Sequence, residues 1–421
     1  MAIQTFRAFS SRNYRLYFLG QSVSLVGTWM QRTAVTWVVY MLTHSPLMLG
    51  LSVFATQFPS FLLSLFGGVI SDRYDRFKVL LFTQFMSLIQ AVILAGLVLW
   101  GVTNVWVILG LGVMLGIINA FDVPARQSLV YEMVDDKSHL PSALALNSSM
   151  VNLARLIGPT VSGVVLQWYG AATCFGINAL SFVAVLSSLM LMRLPPHMVR
   201  PNKKKVLQDL VEGVVYLKRT PAIGTIILML ASVSLLVLPF NTLLPIYAKV
   251  IFEGNAATFG YINSFIGLGA ISGTFFLASL KPGVNLRRIL LINTCVFGIG
   301  LVSFAYCRYF PAAMFFAVLS GFGMMSQTTI CNTIIQTGAD KMMRGRVISF
   351  FAMAFFGMMP LGSLLIGAVS QWMGTQATLF AEGVAALLIA AIFAPFLKKS
   401  RLDEEERREL LKEEVEEMRV V

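Results

Sequence analysis

Apolar residues run through this chain in long blocks, without the strict alternations or narrow stripes of a water-soluble domain. The blocks lie near 14–41, 47–70, 79–101, 104–123, 142–166, 173–194, 222–247, 258–280, 288–307, 311–335, 347–371 and 376–397. Each reaches the roughly 20 residues that an α-helix needs to cross the hydrocarbon of a bilayer. Turn or charge signals part them, among them THSP (43–46), GVTN (101–104), WYG (168–170), KPGVNLRR (281–288) and WMGT (372–375). The pattern predicts an all-α membrane protein of twelve transmembrane helices. An even number returns both termini to one side.

Composition agrees with this reading. Of 421 residues 57% are hydrophobic and only 12% charged, so lipid must be the main solvent. The first residues, MAIQTFRAFSSRNYR, are basic and lead into a block too long for a signal peptide, which leaves insertion to the helices themselves. A net charge of +12 could suit nucleic acid, but the basic residues sit in short connections between blocks, which points to membrane topology and no nucleic acid partner. With the N-terminus inside, 28 of the 32 lysines and arginines fall on inward connections and termini; Lys249 and Arg308 are outward, and Arg32 and Arg155 lie within blocks. That bias places both termini in the cytoplasm of a plasma membrane, the inner membrane of a bacterium. Cys174, Cys295, Cys307 and Cys331 lack metal-ligand spacing and read as free, buried thiols, and no metal or cofactor is expected.

The chain also repeats itself. GVVLQWYGAATCF (163–175) and GAVSQWMGTQATLF (367–380) share G-x-x-x-Q-W-x-G at an offset of 204 residues. Two parallel six-helix halves are implied, 1–194 and 222–397, a transporter architecture with its site between the halves. Segment 195–221 joins them as a cytoplasmic linker in which Leu207, Leu210, Val211, Val214 and Leu217 recur at helical spacing, as in a helix lying in the headgroup layer. Residues 398–421 read as a charged tail helix capped by Ser400.

Charges bunch at GGVISDRYDRFK (67–78), between the second and third blocks. Positive-inside anchoring accounts for Arg73, Arg76 and Lys78 but leaves Asp72, Asp75 and the paired Gly67 and Gly68 unexplained. Here the chain resembles the major facilitator superfamily: Gly68, Asp72, Arg73, Arg76 and Lys78 match its loop signature, with Asp75 where glycine is usual. The runs FRAFSSRNYRLYFLGQSVSLVGTWMQR and DVPARQSLVYEMV look like the branch containing the enterobactin exporter and macrolide efflux proteins. The resemblance implies a cytoplasmic gate closed when the site faces outward. Asp72 would sit at the start of the eleventh helix, around Arg346 to Ser349, where free N–H groups favour an anion. Arg73 or Arg76 would bridge to Asp122.

Three ionisable groups stand well inside blocks. An arginine at mid-membrane costs roughly 2.5–3.5 kcal/mol on insertion scales, so Arg32, preceded by Gln31, and Arg155 should face protein or a water-filled cavity. Pairing with neighbouring helices would account for either equally well. Arg155 opens RLIGPTVSG, where Pro159 removes one backbone hydrogen bond and Gly158, Ser162 and Gly163 offer a small surface. That run resembles the superfamily's antiporter motif, with Ser162 in place of a glycine. Glu382 in the twelfth block is a candidate proton carrier, or a structural partner for a polar neighbour. Gln57, Asn119, Asn241, Asn263 and Gln327 recur in blocks that would line a cavity, each of them equally able to serve as packing glue.

These features predict a monomeric secondary transporter that exports an amphipathic small molecule, a siderophore or hydrophobic drug, in exchange for protons. An uncoupled facilitator or importer, and a non-transporting scaffold or sensor, are the alternatives. An enzyme is not expected: the chain has no phosphate-cradling loop, no zinc-protease motif and no Ser/His pairing of a catalytic kind among its three histidines.

Overall fold

The computed structural model describes residues 6–102, 104–194, 206–281, 283–340 and 342–420, without the side chains of Leu65, Val69, Asp72, 206–210 and 399–420. In chain order the helices are α1 (Arg12–Thr43), α2 (Pro46–Arg73), α3 (Arg76–Leu99) and α4 (Val105–Met133). A run Leu140–Met190 follows, which Gly170 divides into α5 and α6. After a linker helix (Val206–Arg219) come α7 (Pro221–Ile251), α8 (Ala256–Ala278), α9 (Leu286–Tyr306), α10 (Phe310–Gly338), α11 (Arg344–Met373) and α12 (Thr375–Val420). Ten of these runs are long and apolar enough to span a bilayer. One is the double run α5–α6, and α1, 32 residues long but broken by Gln21, Gln31 and Arg32, supplies the twelfth crossing among the described residues.

The polar residues between the blocks are the ones that start the helices. Lipid offers no hydrogen bonds, so exposed N–H groups at a helix start need partners from the chain. Ser45 accepts from the Met48 N–H at 3.4 Å, Asn104 from Trp106 at 2.9 Å, and Asn285 from Arg288 at 3.2 Å. Asn255 and Thr258 close a reciprocal capping box at α8. Asp75 caps α3, taking the N–H groups of Phe77 at 3.0 Å and Lys78 at 3.4 Å. Its carboxylate therefore has a local task where the family's signature carries a glycine.

The sequence repeat is also a structural one. Gly170 (φ 78°, ψ 174°) and Gly374 (φ 85°, ψ 153°) stand at the same place in the two copies, each turning the chain from one crossing into the next. That region of backbone space is essentially closed to side chains.

Side chains gather into three cores. One lies within the second half around Phe240, Phe297 and Tyr247, and one within the first half around Tyr14, Tyr17 and Met133. The third draws on both, joining Met30, Tyr40 and Leu49 to Leu243, Ile246 and Ile366.

The linker helix makes contacts that its spacing did not predict, and the tail differs from expectation. The linker helix docks on α11: Glu212 pairs with Arg346 at 2.7 Å, Gly213 lies against the Phe350 ring, and the Tyr216 hydroxyl takes the Asp340 N–H at 3.2 Å. Val211 and Val214 stay exposed, while the side chains of Leu207 and Leu210 lie outside the described residues. The tail is no separate helix, since α12 runs unbroken through Ser400 to Val420. Its side chains too lie outside the described residues.

Candidate transport site and gate

Among the described residues the halves meet along a seam confined to one end of the bundle. Gly50 and Pro46 of α2 lie against Ser363 and Gly367 of α11, and the Ser45 hydroxyl donates to Gln371 Oε1 at 2.8 Å. Gly163 of α5 and Gly260 of α8 bring their backbones together, with the Thr160 and Ser264 hydroxyls at 2.6 Å just beyond. Trp37 of α1 stacks on Phe259 of α8 at 5.9 Å. Farther along, Leu156 reaches Gly267 and Phe61 reaches Gly357. This is the end opposite the linker helix and the start of α1 at Arg12.

At the other, charge-rich end each half packs on itself. Gly67 presses on Ala120 and Pro124 of α4, and Gly273 on Phe322 and Ser326 of α10. Arg76 pairs with Glu132 at 2.9 Å within the first half, as Arg346 does with Glu212 within the second. A bilayer offers little force to pull apolar helices together, so small residues that allow close backbone contact decide where helices join. Among the described residues they join the halves at one end only.

The sequence-derived gate residues fall at the charge-rich end. Arg73 and Lys78 are exposed and Arg76 half-buried; the side chain of Asp72 lies outside the described residues. The expected bridge from Arg73 or Arg76 to Asp122 is not formed. Asp122 is buried and accepts from Thr83 at 2.9 Å and Gln84 at 2.6 Å, and its second oxygen faces Arg126 at 3.2 Å. Arg126 sits one helical turn on, the i+4 spacing at which opposite charges meet, and Arg76 turns to Glu132. Of the paired glycines only Gly67 makes a close contact; Gly68 faces open space.

Two of the proposed cavity groups belong to the interior instead. Gln31, 3% exposed, accepts from Asn178 at 2.7 Å and donates to Gln90 at 2.9 Å, which ties α1, α3 and α6 together by an amide chain. Gln327 is fully buried, bonding to Cys331 and Thr328 on its own helix. Both are satisfied packing groups, as buried amides must be. Gln57, Asn119, Asn241 and Asn263 remain partly exposed, with Asn263 also donating to the Phe259 carbonyl at 2.9 Å.

Arg32 and Arg155 converge on one ring. The Arg32 guanidinium carbon is 4.7 Å from the Trp29 ring centre and that of Arg155 is 5.3 Å from it. Arg32 is exposed although it lies near the middle of α1, and Arg155 is half-buried with its Nε unpaired. Gly158 packs on the Trp29 Cβ, and Ser162 donates to the Met30 carbonyl at 3.0 Å. The run GPTVSG thus has two faces: Gly158 and Ser162 hold α1, while Pro159, Thr160 and Gly163 meet α8 across the seam.

Glu382 is 2% exposed, and neither of its oxygens has a hydrogen-bond partner among the described residues. Its neighbours Leu379 and Ala386 belong to the core of the second half, and Gly383 packs on Gly298 and Val302 of α9. It stands away from the seam.

Two six-helix halves joined along α2–α11 and α5–α8 define the major facilitator fold, the architecture of a membrane transporter and not of an enzyme. The chain belongs, within that superfamily, to the transmembrane secretion effector family, whose family model matches residues 3–419. It is 28% identical over 403 residues to the staphyloferrin A transporter of Staphylococcus aureus, covering 93% of this chain and 98% of that one. It is 26% identical over 389 residues to the enterobactin exporter EntS of Escherichia coli, covering 92% of both. A bacterial homologue of the human lysosomal transporter Spinster, in an inward-facing conformation, shares the fold with a TM-score of 0.74 at 14% identity, over 93% of this chain and 98% of that chain. A bacterial homologue of the iron transporter ferroportin, also inward-facing, does so with a TM-score of 0.71 at 14% identity, over 92% and 98%.

Proposed function

We propose that this chain exports amphipathic small molecules, siderophores foremost among them, across a bacterial inner membrane by alternating access, in exchange for protons. The observation that carries the reading is the one-ended seam: halves joined at one end and packed separately at the other are one posture of a two-state rocking cycle. The charge bias in the sequence makes the open end cytoplasmic, with both termini on that side, so this posture would admit cargo from within. The names of the relatives support the substrate class.

In the opposite posture the charge-rich ends would close. Asp72 would reach the first turn of α11, and Gly68, now facing open space, would give that approach room. Arg73, Arg76, Lys78 and Asp122 would then form or redistribute ion pairs around it, stabilising that state without touching cargo. Arg32, Arg155 and the partly exposed amides Gln57, Asn119, Asn241 and Asn263 serve the cavity. The GPTVSG run, with Gly158, Pro159, Ser162 and Gly163, forms the pivot between α1 and α8. Glu382, a buried carboxyl without a hydrogen-bond partner among the described residues, is assigned the coupled proton. A facilitator without proton coupling is the second reading, favoured by the place of Glu382 in the core of one half and away from the seam.

Inside-out vesicles with an imposed pH gradient test the proposal. An acidified lumen should drive accumulation of a catecholate or carboxylate siderophore, and collapsing the gradient should release it. Transport indifferent to the gradient would leave the facilitator; no accumulation of any compound by well-inserted protein would end the transport reading.

A further inference from the structure

We infer that Arg32, Trp29 and Arg155 form a two-point anion site, so that the cargo carries at least two anionic oxygen groups on a compact, partly planar frame. This rests on the transport reading above and narrows its substrate class. Two guanidinium groups share one indole ring, at 4.7 and 5.3 Å from its centre. Among the described residues neither has a carboxylate partner: the spanning acid Asp122 is engaged by Arg126, Thr83 and Gln84, and Glu382 lies in the core of the second half. Cations that near each other repel, and in lipid surroundings an arginine without a counter-ion is expensive. The ring faces offset part of that cost, and the rest calls for an anion delivered by the cargo.

The position agrees. Arg155 adjoins Leu156, whose contact with Gly267 lies at the charge-rich limit of the α5–α8 seam. Arg32 is exposed there despite lying deep in α1, and Arg155 is half-buried, its Nε buried without a partner among the described residues. Guanidinium forks bind carboxylate or phenolate oxygens in pairs, which a lysine could not reproduce. Trp29, a flat aromatic ring, lies beside both cations. Gly158 fixes that ring, because any side chain there would strike the Trp29 Cβ.

Three probes with one ring and graded charge test this: terephthalate with two carboxylates, benzoate with one and dimethyl terephthalate with none. Calorimetric titration of the full chain in nanodiscs should show terephthalate binding at least tenfold tighter than benzoate, and the ester weakest. Arg32→Gln and Arg155→Gln should each bring terephthalate down to about the benzoate level, with melting temperature unchanged. Should a glutamine variant fold poorly, Arg32→Lys and Arg155→Lys keep the charge but lose the fork; they should bind terephthalate more weakly than wild type and more strongly than benzoate. Equal binding of all three probes, no binding of any, or variants that bind like wild type would overturn the proposal. Proteoliposomes separate its failure from that of the transport reading. Accumulation of cationic rhodamine 6G by the wild-type chain, beside equal binding of the three probes, would leave transport standing and remove the anion site, whereas charge-graded binding without any accumulation would do the reverse.

Discussion

Inside the bundle the fate of each polar group turns on whether it has a partner. The Asp122 carboxylate has Arg126, Thr83 and Gln84, so Asp122→Asn removes an ion pair and weakens two charge-assisted hydrogen bonds. The expected loss is roughly 1–3 kcal/mol, seen as a lower melting temperature in detergent. Because Arg126 retains some access to water, the loss should stay below that for a fully buried pair. Gly158→Ala should act on function through position: the new methyl pushes on the Trp29 Cβ, and substrate affinity should fall while helix content by circular dichroism holds. Arg32, Arg155 and Glu382 were legible in the sequence because a charge inside an apolar block needs a reason. Their surroundings were not. Nothing local says that two arginines 123 positions apart in the numbering share one indole, or that Gln31 would be absorbed by Asn178 and Gln90.

Helices show the reverse balance. Caps and turns are local chemistry, so starts at Pro46, Arg76, Val105 and Leu286 follow from the Ser, Asp and Asn residues before them. The paired glycines of the repeat carry the same logic. Gly170→Ala and Gly374→Ala should each destabilise the protein by about 1–3 kcal/mol, since both force a side chain into a glycine-only region. Comparable drops in melting temperature for the two variants would support the internal repeat; a drop for one alone would not. The docking of the linker helix on α11 was not legible, because amphipathic spacing states which face is apolar, not what covers it. Glu212→Ala should free it from Arg346, raising amide exchange across 206–219 with little effect on the spans.

For the molecule as a whole, the seam determines how the halves can move. Ser45→Cys and Gln371→Cys, in a chain cleared of Cys174, Cys295, Cys307 and Cys331, place thiols where side chains touch at the closed end. A short crosslinker should join them in this posture, and the joined protein should lose transport while still binding cargo from the open end. Transport at full rate by the crosslinked form would refute the rocking cycle. Glu382→Gln should abolish dependence on a pH gradient; a wild-type response would remove that residue from the coupling.

The solvent, the number of crossings, the gathering of charges on one side and the twofold internal repeat were all legible in the chain alone. All of these follow from transfer of side chains between water and lipid, a property each segment carries alone. Only the packed bundle shows which of the described polar groups find partners, that Asp122 turns to Arg126, and that the described parts of the halves touch at one end. These depend on distances between helices remote in the chain, set by where glycines let backbones approach, and helical periodicity holds no record of them.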